Sequence, residues 1–208
     1  VISRKVVDKP MLYLLDDDPS ICDIFERFAD VLGLGFMSFI TGDEFLEFCS
    51  PDTKGCLILD IWLPDMMGLD LYDKLCQQGS ALSVIVISGQ ADIPLTVRAI
   101  KNGAVDFLEK PFTNSVMLER IRHGIELSEE RYGQLRANAE YESRYAKLTS
   151  REREIIARLI DGSQNKEIAR ELNISRRTVE AHRANIKAKL GIRSISEIVK
   201  HSFLSNQA

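Results

Sequence analysis

The sequence predicts a parallel α/β sheet followed by a smaller all-helical domain. Three observations carry that prediction. Short apolar runs alternate with helical patterns through about residue 125. From Leu148 onward the strand pattern stops and short, capped helices succeed one another. The charge divides along the same line: residues 1–127 carry 11 Lys and Arg against 20 Asp and Glu, whereas residues 146–208 carry 13 against 7. An acidic half followed by a basic half points to nucleic acid as a partner of the second half only. At 208 residues and 45% hydrophobic composition, the chain can form two domains of ordinary size and bury a core in at least one of them.

The first strand is Met11–Leu15, an apolar run that ends in Asp16-Asp17-Asp18-Pro19. Helix Pro19–Leu32 follows, with Ile21, Ile24, Phe25, Phe28 and Leu32 at helical spacing, Pro19 at its start and Gly33 just past its end. Gly35–Phe39 reads as a second strand. The run Leu57-Ile58-Leu59 before Asp60 is too short for a helix and lies between Gly55 and Pro64, which marks a strand buried on both faces. A fourth strand over 83–87 ends in Ser88-Gly89, and a fifth over 105–108 ends in Glu109-Lys110-Pro111. Helices are predicted over 43–49, 69–78 and 93–102, the last two stopped by Gly79 and Gly103. Five strands separated by helices are the pattern of a doubly wound parallel sheet.

Ligands of such sheets bind outside the carboxyl ends of the strands, which makes Asp60 a functional candidate. A turn-opening or helix-capping Asp is the competing explanation. The cluster Asp16-Asp17-Asp18 at an equivalent strand end shifts the balance toward function. Three adjacent carboxylates repel one another, and a divalent cation is the natural compensation. The four strand ends together supply carboxylates, a hydroxyl and an ammonium. An acid to be phosphorylated, acids for Mg²⁺, and a hydroxyl and a Lys for the phosphoryl oxygens make up a phosphoryl-transfer site.

In these residues the chain resembles the receiver domain of two-component response regulators. The acidic pair Asp16 and Asp17, the acceptor Asp60, the hydroxyl Ser88, the aromatic Phe107, and Lys110 before Pro111 appear in family order. The resemblance implies a flavodoxin-like fold for residues 1–125. It also implies Mg²⁺, with Mn²⁺ as an admissible substitute, held by Asp17, the Asp60 carboxylate and the Trp62 backbone carbonyl, with Asp16 acting through water. Phosphorylation of Asp60 would turn Ser88 toward a phosphoryl oxygen and draw Phe107 inward. That reshapes the face of helix 93–102 and the Phe107 strand, on which receivers pair as homodimers. None of His123, His182 and His201 has the acid partner of a phosphodonor, so the donor is a separate sensor histidine kinase.

From Val116 to Tyr145 there is no Pro, and Leu118, Ile121, Ile125 and Tyr132 keep helical spacing. The last receiver helix is therefore expected to run on into a helical linker over 126–145, with Gly124 and Gly133 as its weak points. Beyond it, residues 146–208 form the second domain. Thr149-Ser150-Arg151-Glu152 is a capping box opening a helix that ends at Gly162. Ser163 is the expected N-cap of a helix over 166–172. Asn173-Ile174-Ser175 turns into a helix over 176–190 stopped by Gly191, and Ser194-Ile195-Ser196-Glu197 opens a closing helix. Two short helices around a three-residue turn, the second longer and basic, are a helix-turn-helix.

At 100° per residue, Val179, Ile186 and Leu190 share the core face of that second helix, and Arg177, Ala181, Ala184 and Ala188 lie opposite. A row of Ala lets a helix sit deep in the major groove. Glu180 and Asn185 beside the row can read base edges, while Arg176, Arg183, Lys187 and Lys189 can reach phosphates. The competing explanation is a basic surface helix in a small bundle. Leu148-Thr149-Ser150-Arg151-Glu152, Asn165-Lys166-Glu167-Ile168-Ala169 and the stretch from Thr178 to Ile186 resemble the LuxR-type helix-turn-helix of the FixJ and NarL group. They stand nearest its FixJ branch, with a more particular resemblance to regulators of aromatic (styrene) catabolism of the StyR kind.

Three functions compete. A phosphorylation-switched transcription factor, acting on promoter DNA and RNA polymerase, accounts for both halves. An aspartyl-phosphate hydrolase would place a general-acid Asp two residues after the nucleophile, where this chain has Trp62. A phosphorelay intermediate with an interaction tail would not need a recognition helix. Cys22, Cys49, Cys56 and Cys76 form no C-x-x-C pair, and no apolar run approaches membrane-spanning length, so a reduced, cytoplasmic, membrane-free protein is expected.

Overall fold

The computed structural model describes residues 9–90, 92–194 and 196–198. The chain divides into two compact units that meet within one helix, the first ending at Leu135 and the second starting at Arg136. In the first unit, β1 (Met11–Leu15), β2 (Gly35–Phe39), β3 (Cys56–Asp60), β4 (Ser83–Ser88) and β5 (Asp106–Glu109) form one sheet in the order β2-β1-β3-β4-β5. All its pairings are parallel. This is the flavodoxin-like order, with a switch point between β1 and β3 where the chain reverses its direction of winding.

The intervening helices are α1 (Pro19–Leu32), α2 (Gly42–Phe48), α3 (Gly68–Gln77) and α4 (Ile93–Lys101). Strands β3 and β4 are buried along their whole length, as their unbroken apolar runs require. Alternate residues face two cores. Leu57, Leu59, Val84 and Val86 pack with α2, α3 and α4 through Phe45, Leu71 and Ala99. Cys56, Ile58, Ile85 and Ile87 pack with Phe25, Phe28, Met117 and Ile121 of the opposite helices. Caps agree with the sequence: Asp18 accepts from Ser20 N at 2.9 Å to start α1, and Gly33 ends it at φ 69°.

Helix α5 spans Asn114–Ala146 without interruption, through Gly124 and Gly133 alike. Its first half belongs to the first unit, where Ser128 Oγ accepts from Gly55 N at 2.8 Å and Arg131 donates to the carbonyls of Leu82 and Gly103. Its last turns belong to the second unit, where Tyr141 and Tyr145 pack on the small core and Arg144 donates to Leu190 O at 3.0 Å. The expected linker over 126–145 is thus divided between the two units.

The second unit contains α6 (Ser150–Ile160), α7 (Asn165–Glu171) and α8 (Arg176–Leu190) around Ile155, Ile168, Val179 and Ile186. The Thr149 capping box is present. The N-cap of α7 is Gln164 rather than the expected Ser163, because Glu167 accepts from Gln164 N at 2.7 Å, and the helix starts at Asn165, one residue before the expected 166. Asn173, at φ 52°, makes the left-handed turn between α7 and α8. The closing helix is described only as far as 198, and His201 lies outside the described residues.

The two glycines of α5 predict opposite outcomes for the same substitution. A Cβ on Gly124 would meet Cys56 Sγ and Ser83 Oγ at 2.8 Å, and both belong to fully buried strand residues that cannot give way. A Cβ on Gly133 would meet nothing within 4 Å. Ala gains about 1 kcal/mol in helix propensity at either position, but overpacking costs about 1–3 kcal/mol. Calorimetric unfolding should show Gly124→Ala lowering the receiver transition and Gly133→Ala not lowering it.

Candidate functional site

The carboxyl ends of β1, β3, β4 and β5 bring Asp16, Asp60, Ser88 and Lys110 to one edge of the sheet. Lys110 follows β5, and its N–H donates to Ser88 O at 2.7 Å, which continues the ladder and aims the side chain across the strand ends. Its Nζ lies 2.7 Å from Asp16 Oδ2 and 3.2 Å from Asp60 Oδ1. Asp16 and Asp60 are almost enclosed, with side chains only 1% and 8% exposed. Burial pushes the Asp60 carboxyl above its usual range, opposed by Lys110 and reinforced by the charge of Asp16. Burial alone would lower the Lys110 ammonium, but its bond to Asp16 and the charge of Asp60 outweigh this and hold it above its ordinary value.

Asp16, Asp17 and Asp60 present carboxylate oxygens within 4.8 Å of one another. Three carboxylates against one ammonium leave two formal negative charges, and the donors are all hard oxygens, so the set fits a divalent cation such as Mg²⁺. Asp18, the third acid of the run, is spent on capping α1. Trp62 N donates to Asp60 Oδ2 at 3.2 Å, and its indole is 58% exposed. The buried Ser88 hydroxyl donates to Gln90 O at 2.9 Å and accepts from Gln90 N at 3.2 Å, so it is engaged away from Asp60. Phe107 is half-buried against the core that holds Leu95 and Ala99.

On α8, Val179, Ile186 and Leu190 are buried and Arg177, Ala181, Ala184 and Ala188 are exposed. The other candidates divide. Asn185 and Lys187 are exposed, and Arg176 Nε pairs with Glu180 Oε1 at 3.3 Å on the same surface. Arg183 donates to Asn165 Oδ1 of α7, and the Thr178 hydroxyl lies 2.8 Å from Ser175 Oγ within the N-cap. Lys189 donates to Glu152 Oε2 at 2.7 Å, which ties α8 to α6. Burial would raise the Glu152 carboxyl, but Lys189 and Thr149 hold it below the usual range. A surface hollow lined by Glu180, Arg183, Ala184, Lys187, Arg193 and Ser194 adds Arg193 to this face. Sequence reasoning missed Arg193, since its neighbourhood depends on the left-handed turn at Gly191 (φ 68°).

Residues 12–122 match the response regulator receiver domain family, and residues 146–202 match the luxR family of bacterial regulatory proteins. Response regulator protein TodT of Pseudomonas putida is 36% identical over 190 residues, 91% of this chain and 84% of TodT. Transcriptional regulatory protein FixJ of Azorhizobium caulinodans is 36% identical over 197 residues, 95% of this chain and 93% of FixJ. The solved structure of response regulator StyR matches at 36% identity with a TM-score of 0.78, covering 93% of this chain and 98% of that one. Among the described residues no helix is long and apolar enough to cross a membrane. The chain belongs to the two-component response regulators that join a phosphoacceptor receiver to a LuxR-type DNA-binding helix-turn-helix, and it is a transcriptional regulator rather than an enzyme.

Proposed function

We propose that Asp60 accepts a phosphoryl group from a sensor histidine kinase, and that the modified receiver dimerises and places two recognition helices on promoter DNA. The observation that carries this reading is the Lys110 ammonium bridging Asp16 and Asp60 at the strand ends, with Asp17 alongside. An Asp60 oxygen forms the new O–P bond as the P–N bond to the kinase His breaks. Asp17, Asp60 and the Trp62 carbonyl, with Asp16 through water, would hold Mg²⁺ or Mn²⁺, which when bound would supply positive charge against the phosphoryl oxygens. Lys110 supplies more, already placed on Asp60.

Phosphorylation adds about 1.5 to 2 negative charges at Asp60. Ser88 then exchanges Gln90 for a phosphoryl oxygen, and Phe107 follows into the space behind it. The α4 face beside Phe107 carries Ile93, Val97 and Ile100, which are 80%, 45% and 48% exposed, an apolar surface suited to a second copy of the chain. Pairing raises DNA affinity through effective concentration. Base edges are read by Glu180, Ala181, Ala184 and Asn185. Arg176, Arg177, Thr178, Arg183, Lys187 and Lys189 face phosphates, Arg183 and Lys189 after release from Asn165 and Glu152. Bound dimers act as activators by recruiting RNA polymerase, in the cytoplasm.

Incubation with acetyl phosphate and Mg²⁺ followed by intact mass and peptide mapping tests the acceptor. Asp60→Asn should take up no phosphoryl group while keeping its far-ultraviolet dichroism, because an amide oxygen forms no acyl phosphate but fills nearly the same volume. Label on Asp16, Asp17 or Asp18 would contradict the assignment. For the metal, Asp17→Asn should weaken Mg²⁺ binding and phosphorylation together, since one charge leaves a hard-oxygen site of few ligands.

The recognition helix makes two kinds of contact that titration can separate. Lys187→Ala should weaken binding to specific and scrambled duplexes alike and reduce the salt slope by about one unit. Glu180→Ala should cost roughly 1 to 3 kcal/mol on the preferred duplex and much less on the scrambled one, because only the first presents a matched cytosine amino group. Equal losses on both duplexes would show that α8 lies differently in the groove.

A further inference from the structure

The loop from Ile61 to Met67 connects Asp60 to α3 and is tied to the sheet at its base. Ile61 N donates to Ile87 O at 3.3 Å, Gly68 N donates to Ile61 O at 2.8 Å, and Trp62 pairs with Met67 across the loop. A Cβ on Gly68 would collide with the Asp60 carbonyl, so backbone meets backbone there. The tip of the loop has a separate anchor. Asp65 Oδ1 accepts from Gly42 N at 3.0 Å and Oδ2 accepts from Asp43 N at 2.9 Å, reaching the first two residues of α2.

Those N–H groups open a helix and lack intrahelical partners. A distant helix cap is the simple explanation for Asp65. Two observations exceed it. The start of α2 already has its own cap, since Thr41 Oγ1 accepts from Glu44 N at 3.3 Å. A Cβ on Gly42 would also lie 2.6 Å from Met66 Sδ, so the first turn of α2 is pressed against the loop itself. Helix α2 is in turn fixed by Phe45, which is fully buried. The stretch carrying Trp62 is therefore held between two packed elements, β3 at one end and α2 at the other.

We propose that Asp65 is a positioning residue for the metal, fixing against α2 the loop that carries the Trp62 carbonyl. This rests on the reading of Asp16, Asp17, Asp60 and Trp62 as the Mg²⁺ site of a phosphoacceptor. Asp65 touches neither metal nor phosphoryl group. Groups that orient a ligand from outside commonly alter metal affinity about 10-fold or more when removed.

The test is calorimetric titration of the full chain with Mg²⁺ alone, beside thermal unfolding in chelator, for the parent, Asp65→Ala, Asp65→Asn and Thr41→Ala. Asp65→Ala should bind Mg²⁺ about 10-fold more weakly. Asp65→Asn, which keeps one acceptor oxygen in the same volume, should fall between it and the parent. Thr41→Ala removes a cap from the same helix and should lower the melting temperature while leaving Mg²⁺ affinity at the parent value. Parent-like affinity in both Asp65 variants overturns the proposal. So does an equal loss in Thr41→Ala, which would assign the effect to α2 stability. A parent that binds no Mg²⁺ overturns the reading of the site and the proposal together.

Discussion

The placement of Lys110 between Asp16 and Asp60 is the constraint on which the receiver depends. Its ammonium joins residues from three strand ends, and it lies 94 residues from Asp16 in sequence. Two nearly enclosed carboxylates at that edge would repel each other without it. Paired along the backbone, β1, β3, β4 and β5 bring the two acids and the cation together at this edge of the sheet. The same arrangement leaves excess negative charge beside Asp17, which makes a place for a divalent cation. The site is thus fixed by the register of the strands and needs no specialised loop to assemble Asp16, Asp60 and Lys110.

The DNA-binding unit applies a different economy. Its core is small, so the recognition helix is held at defined points by polar ties as well as by Val179 and Ile186. Lys189 meets the nearly buried Glu152, and Arg144 meets the last carbonyl of α8. Glu152 also completes the Thr149 capping box, so one carboxylate orients both the start of α6 and the end of α8. On the proposed reading, a phosphate backbone would have to displace that carboxylate to engage Lys189, whereas Lys187 is exposed. Cations that look equivalent on a helical wheel therefore differ in what it takes to recruit them.

Most of the fold was legible because its signals are local. Apolar runs gave β1 and β2 to the residue, and Pro19 with Gly33 bounded α1. Acidic, hydroxyl and ammonium groups at strand ends marked the site without knowledge of the register. Interactions between residues far apart in sequence were not legible. Asp65 reaches its partners across 22 and 23 residues, and nothing in the spacing of Pro64-Asp65-Met66 discloses them. Lys189 falls among phosphate-reaching cations by periodicity alone, and only the packing of α6 against α8 reveals its tie to Glu152. The N-cap of α7 is a local exception: Glu167, three residues on, accepts from Gln164 N, a capping box readable in the sequence that favours Gln164 over Ser163.

On the proposed reading, one covalent change at Asp60 alters how the whole chain associates. Sedimentation of the parent and of Asp60→Asn in Mg²⁺, each with and without beryllium fluoride as phosphoryl mimic, tests it most directly. The fluoride should double the mass of the parent and leave Asp60→Asn unchanged. An unchanged parent, or an equal shift in both proteins, would contradict it.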